Sequence, residues 1–296
     1  MRRRVRAPWW ILALAAAIAC SSGGTPATLP PSTTPPATTP PTTNWTLLWS
    51  DEFEGAAGSR VDAAKWTHDL GDGCANGICG WGNSEKEYYT DAPENVSLDG
   101  AGRLRIVARQ APAGLTCYYG PCRYTSGKIR PRGKLSAAPG RVEARIKLPA
   151  GQGLWPAFWM LGSGFPTVPW PACGELDIME FKGSTPGAMS SAVHGPGYSG
   201  NTPFARTHSV PGSDFTADFH TFGVEWDAES VSFSVDGTTH YTVGRADLLQ
   251  RGSSILGQPY FVILNLAVGG HFDGDPQSDA ILPATMLVDW VRVYGR

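Results

Sequence analysis

Arg141-Val142-Glu143-Ala144-Arg145-Ile146-Lys147-Leu148 alternates polar with apolar side chains along its whole length, the two-residue period of a strand that buries one face and wets the other. Arg103-Leu104-Arg105-Ile106-Val107-Ala108 and Val231-Ser232-Phe233-Ser234-Val235 repeat the pattern, while Tyr260 to Val268 and Met286 to Tyr294 are more uniformly apolar and suit central strands. Asp99-Gly100, Pro139-Gly140 and Asp236-Gly237 lie between such runs and are turn dipeptides. Short helical turns are expected near Ala246 to Gln250, and no segment shows three clear helical turns. The pattern predicts an all-β fold of two packed antiparallel sheets, a sandwich or jelly roll.

Composition points the same way. Gly 36 and Pro 25 together make 61 of 296 residues, which argues for many turns and an unstructured stretch rather than a helical bundle. The N-terminus reads as an export signal over residues 1–19: a basic Met1 to Arg6, then an 11-residue apolar run from Trp9 to Ala19. That run is shorter than the ~20 residues needed to cross a bilayer. Ala17-Ile18-Ala19-Cys20 resembles a bacterial lipobox, which makes Cys20 the lipidation candidate, although such boxes prefer Leu where Ala17 stands. From Cys20 to residue 44 the chain is a Thr/Pro-rich linker that cannot bury a core. Residues 45–296 form one block, with no second linker and no internal repeat.

Removing Arg2, Arg3, Arg4 and Arg6 with the signal leaves 20 basic against 26 acidic residues, a formal −6. A negative chain is a poor partner for nucleic acid or an anionic membrane surface. The expected location is extracellular or the outer face of a bacterial cell membrane, attached only through an N-terminal lipid, and the expected state is a monomer. Cysteine usage fits an oxidising compartment. Cys74 and Cys79, and Cys117 and Cys122, each enclose four residues with a turn signal, so two small loop disulfides are the first choice. Cross-pairing of the two loops and a zinc site are the alternatives, and Cys173 is left as a free, partly buried thiol.

Gly174-Glu175-Leu176-Asp177-Ile178-Met179-Glu180-Phe181 carries the chemistry. On a regular strand Glu175 and Asp177 share a face with residue 179, so Glu180 would point away. One extra residue inserted as a β-bulge at Ile178-Met179 returns Glu180 to the carboxylate face, and bulges are enriched beside active sites. Glu175 and Glu180 then stand ~13 Å apart at Cα by strand rise. Carboxyl groups leaning together to about 5 to 6 Å match a retaining rather than an inverting glycosidase. One carboxylate attacks the anomeric carbon while the other, protonated, donates to the leaving oxygen and later activates water. Asp177 is placed to hydrogen-bond its neighbours and hold their protonation states apart. Water-facing acids on an ordinary strand, or a calcium site built from the three acids, are the competing readings. Trp155-Pro156-Ala157-Phe158-Trp159-Met160, Gly80-Trp81-Gly82-Asn83 and Trp170-Pro171 add indoles that can stack on pyranose rings.

Six motifs carry a resemblance: Leu48-Trp49-Ser50-Asp51-Glu52-Phe53-Glu54, Gly80-Trp81-Gly82-Asn83-Ser84-Glu85, Gly153 to Leu161, Gly174 to Glu180, Leu264-Asn265-Leu266-Ala267-Val268-Gly269-Gly270 and Val288 to Tyr294. In this order they resemble the bacterial laminarinases of glycoside hydrolase family 16, over all of residues 45–296. The resemblance implies a concanavalin-like β-jelly roll with an open cleft on its concave face, residues 45–296 being the catalytic domain. It implies hydrolysis of internal β-1,3 bonds of a β-glucan polysaccharide, without a cofactor for catalysis. Glu175 becomes the nucleophile, Asp177 its partner and Glu180 the acid/base. Trp155 and Trp159 fall in subsites near the scissile bond, with Asn83, Arg130 and His194 as hydroxyl contacts and Asn265 as a cleft contact or a satisfied buried amide. A structural calcium is implied on the convex face, with Asp289 and, less directly, Glu54 as ligands; charge compensation within the sheet competes for Asp289. The same machinery on mixed-linkage glucan or a galactan, and a non-catalytic lectin-like module, are the alternatives. The residue count from Glu175 to Glu180 favours the bulged laminarinase branch, and all carboxylates are present, unlike in a lectin. Where many relatives place Asn-Trp, this chain has His271-Phe272, so a subsite contact differs there.

Overall fold

A computed structural model describes residues 44–210 and 212–296. The signal segment, Cys20 and nearly all of the Thr/Pro linker lie outside the described residues. Ten strands form one sheet, and eight of them run in the order Thr238–Gly244, Ser230–Val235, His220–Trp226, Arg141–Lys147, Ala284–Gly295, Leu104–Gln110, Tyr124–Ser126 and Glu87–Tyr89. Thr46–Asp51 pairs with Ala284–Gly295, and Val96–Leu98 with Leu104–Gln110. A seven-stranded sheet follows the order Phe204–Ser209, Ala188–His194, Glu175–Phe181, Leu154–Gly162, Tyr260–Val268, Lys128–Arg130 and Thr67–His68. Pairing is antiparallel except between Glu87–Tyr89 and Tyr124–Ser126.

The alternating runs land where the period places them. Val142, Ala144 and Ile146 have no exposed surface, while Arg141, Arg145 and Lys147 reach toward water. Tyr260–Val268 is buried on both faces throughout, as a continuous apolar run requires. Ala284–Gly295 is also central in its sheet, yet it alternates between buried and half-buried, because its outer face carries Asp289, Trp290 and Arg292. The inward rows of both sheets meet in one apolar cluster that includes Leu104, Ile146, Phe158, Leu176, Phe222, Leu264 and Val291. Asp236 and Gly237 both take left-handed φ, at 48° and 75°, the turn that matches the strand twist in a two-residue hairpin. One helix, Arg245–Arg251, forms over the expected helical turns.

Cys74–Cys79 and Cys117–Cys122 are bonded within their own loops, and Cys173 is a free buried thiol. The proximity created by each four-residue loop settles the pairing, and neither cross-pairing nor zinc remains.

Candidate active site

The strand Glu175–Phe181 lies between Leu154–Gly162 and Ala188–His194. Against the former, Asp177 opposes Trp159, Met179 opposes Phe158 and Glu180 opposes Ala157, so Ile178 has no counterpart. Against the latter, Asp177 opposes Ala192 and Glu180 opposes Ser190. Ile178 and Met179 therefore face the single residue Ser191, a two-against-one bulge. Both bulged side chains are fully buried in the core. Glu175, Asp177 and Glu180 consequently open onto one cleft together with Trp155, Ala157 and Trp159 of the neighbouring strand.

Burial raises all three carboxyls, and repulsion from neighbouring carboxylates adds to it at Glu175 and Glu180. Loss of solvent, then the charge of Asp177, pushes Glu175 up to about 8. Burial lifts Asp177 to about 7. Burial, then the charges of Asp177 and Glu175, holds Glu180 well above the usual carboxylate range. Like charges in a dry site cannot all ionise, so the cluster holds protons up to neutrality, Glu180 among the carboxyls that keep one. His194 Nε2 lies 3.2 Å from Asp177 Oδ2, and neither that oxygen nor His194 Nδ1 has a hydrogen-bond partner among the described residues. Glu175, Asp177 and His194 bring one ligand atom each within 4.8 Å of one another, but an imidazole is foreign to the all-oxygen shell of calcium.

The second wall of the cleft comes from Trp81, Asn83 and Glu85, with Lys128 and Asn265 between the walls. Gly80, Trp81 and Gly82 all take positive φ, at 60°, 52° and 82°. A Cβ at residue 80 would stand 2.9 Å from the Tyr118 hydroxyl and 3.1 Å from the Glu85 nitrogen. Gly80 has no room for a side chain, and this left-handed turn carries the Trp81 indole to the cleft. Lys128 Nζ then sits 4.2 Å from the Trp81 ring and 5.0 Å from that of Trp159.

The sequence profile of the glycosyl hydrolases family 16 matches residues 83–292. The chain belongs to glycosyl hydrolase family 16. It is 37% identical over 265 residues to the glucan endo-1,3-beta-glucosidase A1 of Niallia circulans, spanning 84% of this chain and only 37% of that longer protein. Among solved structures, it resembles the endo-beta-1,3-glucanase of Pyrococcus furiosus with TM-score 0.80 and 45% identity, covering 85% of this chain and 94% of that one. It resembles the laminarinase catalytic domain of Thermotoga maritima with TM-score 0.79 and 40% identity, covering 85% and 98%.

In this family 16 hydrolase, Trp155, Trp159, Asn83 and Asn265 line the cleft where they were expected. Asn265 lines the cleft and its amide is satisfied, Oδ1 accepting from Trp159 Nε1 at 2.7 Å and Nδ2 donating to the Tyr89 hydroxyl at 3.2 Å. His194 is directed at Asp177. Arg130 does not line the central cleft; its guanidinium pairs with Asp69. Asp289 accepts from Arg145 Nη1 at 2.7 Å, the charge compensation that competed with a calcium role. Among the described residues no group of three close side-chain ligands includes Asp289 or Glu54, so these side chains alone do not compose a cation cage. Phe272 stacks on Trp155 with ring centres 4.7 Å apart, so the His271-Phe272 departure keeps an aromatic ring at that end of the cleft.

Two cleft residues escaped the sequence reading. Glu85 closes the quoted Gly80 to Glu85 motif, where nothing marked it as a fourth acid of the cleft. Lys128 carried no signal, because a lysine beside the buried Ile129 looks like the solvent side of any half-buried strand.

Proposed function

We propose that this family 16 hydrolase cleaves internal β-1,3-glucosidic bonds of laminarin-type glucans with retention, through double displacement. The observation that carries the reading is the bulged strand: it turns Glu175, Asp177 and Glu180 onto one face inside a tryptophan-walled cleft. Glu180, protonated at rest, gives its proton to the glycosidic oxygen as the Glu175 carboxylate attacks the anomeric carbon, and the leaving sugar departs with a hydroxyl. The ionised Glu180 then takes a proton from water, which attacks the glycosyl-Glu175 ester and frees both product and nucleophile. Asp177, between them, keeps negative potential on the nucleophile's side and so keeps the proton on Glu180. Trp155, Trp159 and Trp81 supply stacking faces for sugar rings, and Asn83 supplies hydroxyl contacts. A cleft open to solvent suits mid-chain attack on a polymer.

Export of the protein, lipid attachment at Cys20 and action as a monomer outside the cell belong to the same reading. They are supported by the basic and apolar N-terminus, the lipobox-like Ala17-Ile18-Ala19-Cys20 and two intraloop disulfides.

Digestion of laminarin, lichenan, curdlan and agarose side by side tests the substrate. Short oligosaccharides released from laminarin first are expected. No reducing ends from laminarin would overturn the proposal.

A further inference from the structure

The inward row of the strand Ala188–His194 is Met189, Ser191 and Val193, all buried. Met189 and Val193 join the apolar core, whereas Ser191, with 0% exposure, places a hydroxyl in the seam between the sheets. A buried hydroxyl must find partners to be tolerated there. Ser191 Oγ donates to the carbonyl oxygen of Ile178 at 2.7 Å. Ile178 is the residue that the bulge lifts out of register, and Ser191 is the one residue that the bulge spans.

His240, from the facing sheet, completes the arrangement, its Nε2 lying 3.3 Å from Ser191 Oγ. Since the only hydroxyl proton of Ser191 goes to Ile178, His240 must carry its hydrogen on Nε2 and donate it to Oγ. That tautomer leaves Nδ1 bare, in agreement with its burial without a partner among the described residues. Burial, the neighbouring His208 ring at 4.8 Å and the positive Arg206 all disfavour a charged His240.

We propose that Ser191 is a positioning residue for the acid/base: its hydroxyl clamps the bulge at Ile178 and thereby sets where Glu180 stands relative to Glu175 and Asp177, with His240 bracing the clamp from the opposite sheet. The inference rests on the assignment of Glu180 as acid/base. The clamped carbonyl of Ile178 is bonded directly to the Met179 nitrogen, and Glu180 is the next residue. A bulge freed of this bond moves Glu180 while leaving Glu175, three residues upstream in regular register, in place.

Ser191→Ala and Ser191→Cys in the full chain test this against Glu180→Ala, using laminarin and a dinitrophenyl β-laminaribioside whose leaving group needs no proton. For Ser191→Ala, kcat/KM on laminarin is expected to fall roughly 10- to 100-fold, as for a catalytic group misplaced by about 1 Å. On the aryl substrate it should fall less than about threefold. Ser191→Cys, a weaker donor of similar size, should lie between, and it carries the test if the alanine variant does not fold. Equal losses on both substrates, or no loss on laminarin, would overturn the clamp if Glu180→Ala itself discriminates between the substrates. Failure of Glu180→Ala to discriminate would instead remove the acid/base assignment, and the clamp with it.

Discussion

The indole N–H of Trp159 donates to Asn265 Oδ1 at 2.7 Å, tying the tryptophan opposite Asp177 to the neighbouring strand Tyr260–Val268. Asn265 passes the link on to the Tyr89 hydroxyl at 3.2 Å, and that hydroxyl lies 3.4 Å from Glu85 Oε2. A stacking platform works only if its ring plane is fixed before the sugar arrives. Asn265→Leu is therefore expected to raise KM for laminarin several-fold with a smaller change in kcat. It should also cost about 1–3 kcal/mol of stability, since the Trp159 and Tyr89 groups lose their partner in a buried setting. Steady-state kinetics and urea unfolding measure both; an unchanged KM would show that the platform does not need the tie.

The two glutamates are separated by the order of events. Glu180→Ala should cripple hydrolysis of glucan yet spare the first step on an activated aryl glycoside, and added azide should give a β-glycosyl azide by attack on the covalent intermediate. Glu175→Ala removes the nucleophile, so azide attacks the substrate directly and gives the α-azide. NMR of the azide products decides, and the opposite pattern would reverse the two roles.

Stability should depend on pH through the same cluster. Glu175 and Asp177 are pushed up to about 8 and about 7, above their unfolded values, so the folded chain binds more protons than the unfolded chain between those limits. Stability that is fully present below about pH 4 is then lost as pH rises through 7 to 8. Glu175→Gln, which cannot ionise, should show a flatter fall of Tm from pH 4 to 9 than the parent. A parallel pair of curves would mean that Glu175 ionises as freely in the fold as out of it.

Lys128 is a buried cation 4.2 Å from the Trp81 ring, and its charge opposes the burial that raises Glu85. Lys128→Met keeps the volume and deletes the charge. The expected result is weaker glucan binding, by roughly tenfold at most from the cation–π contact, with isothermal titration against laminari-oligosaccharides on a Glu175→Gln background as the measurement.

Thiol chemistry follows from the loops. Peptide mapping of unreduced protein should yield Cys74 joined to Cys79 and Cys117 joined to Cys122. Cys173 is buried and its thiol is pushed up to about 11, so it should resist iodoacetamide at pH 8 until the chain is unfolded. Rapid labelling of the native protein would contradict that burial.

Periodicity alone carried the strands: Arg141–Lys147 and Tyr260–Val268 are legible because alternation and continuous apolarity each have one packing solution. The bulge was legible too, since Glu180 sits one position out of phase with Glu175 and Asp177, and a two-residue period tolerates no other repair. Local sequence also favoured the intraloop disulfides, because a four-residue loop can bring its sulfurs together, but the structure decided against cross-pairing. Sequence did not show which polar residues on the outward rows face the cleft. Lys128 and Arg130 share a strand and a face, yet one lies between two indoles and the other pairs with Asp69. Nor did it mark Ser191 or His240, which meet across the two sheets from positions 49 residues apart. Those assignments depend on which strands become neighbours and which sheets face each other. Such long-range contacts are set by packing the whole core, and tertiary structure alone decided them.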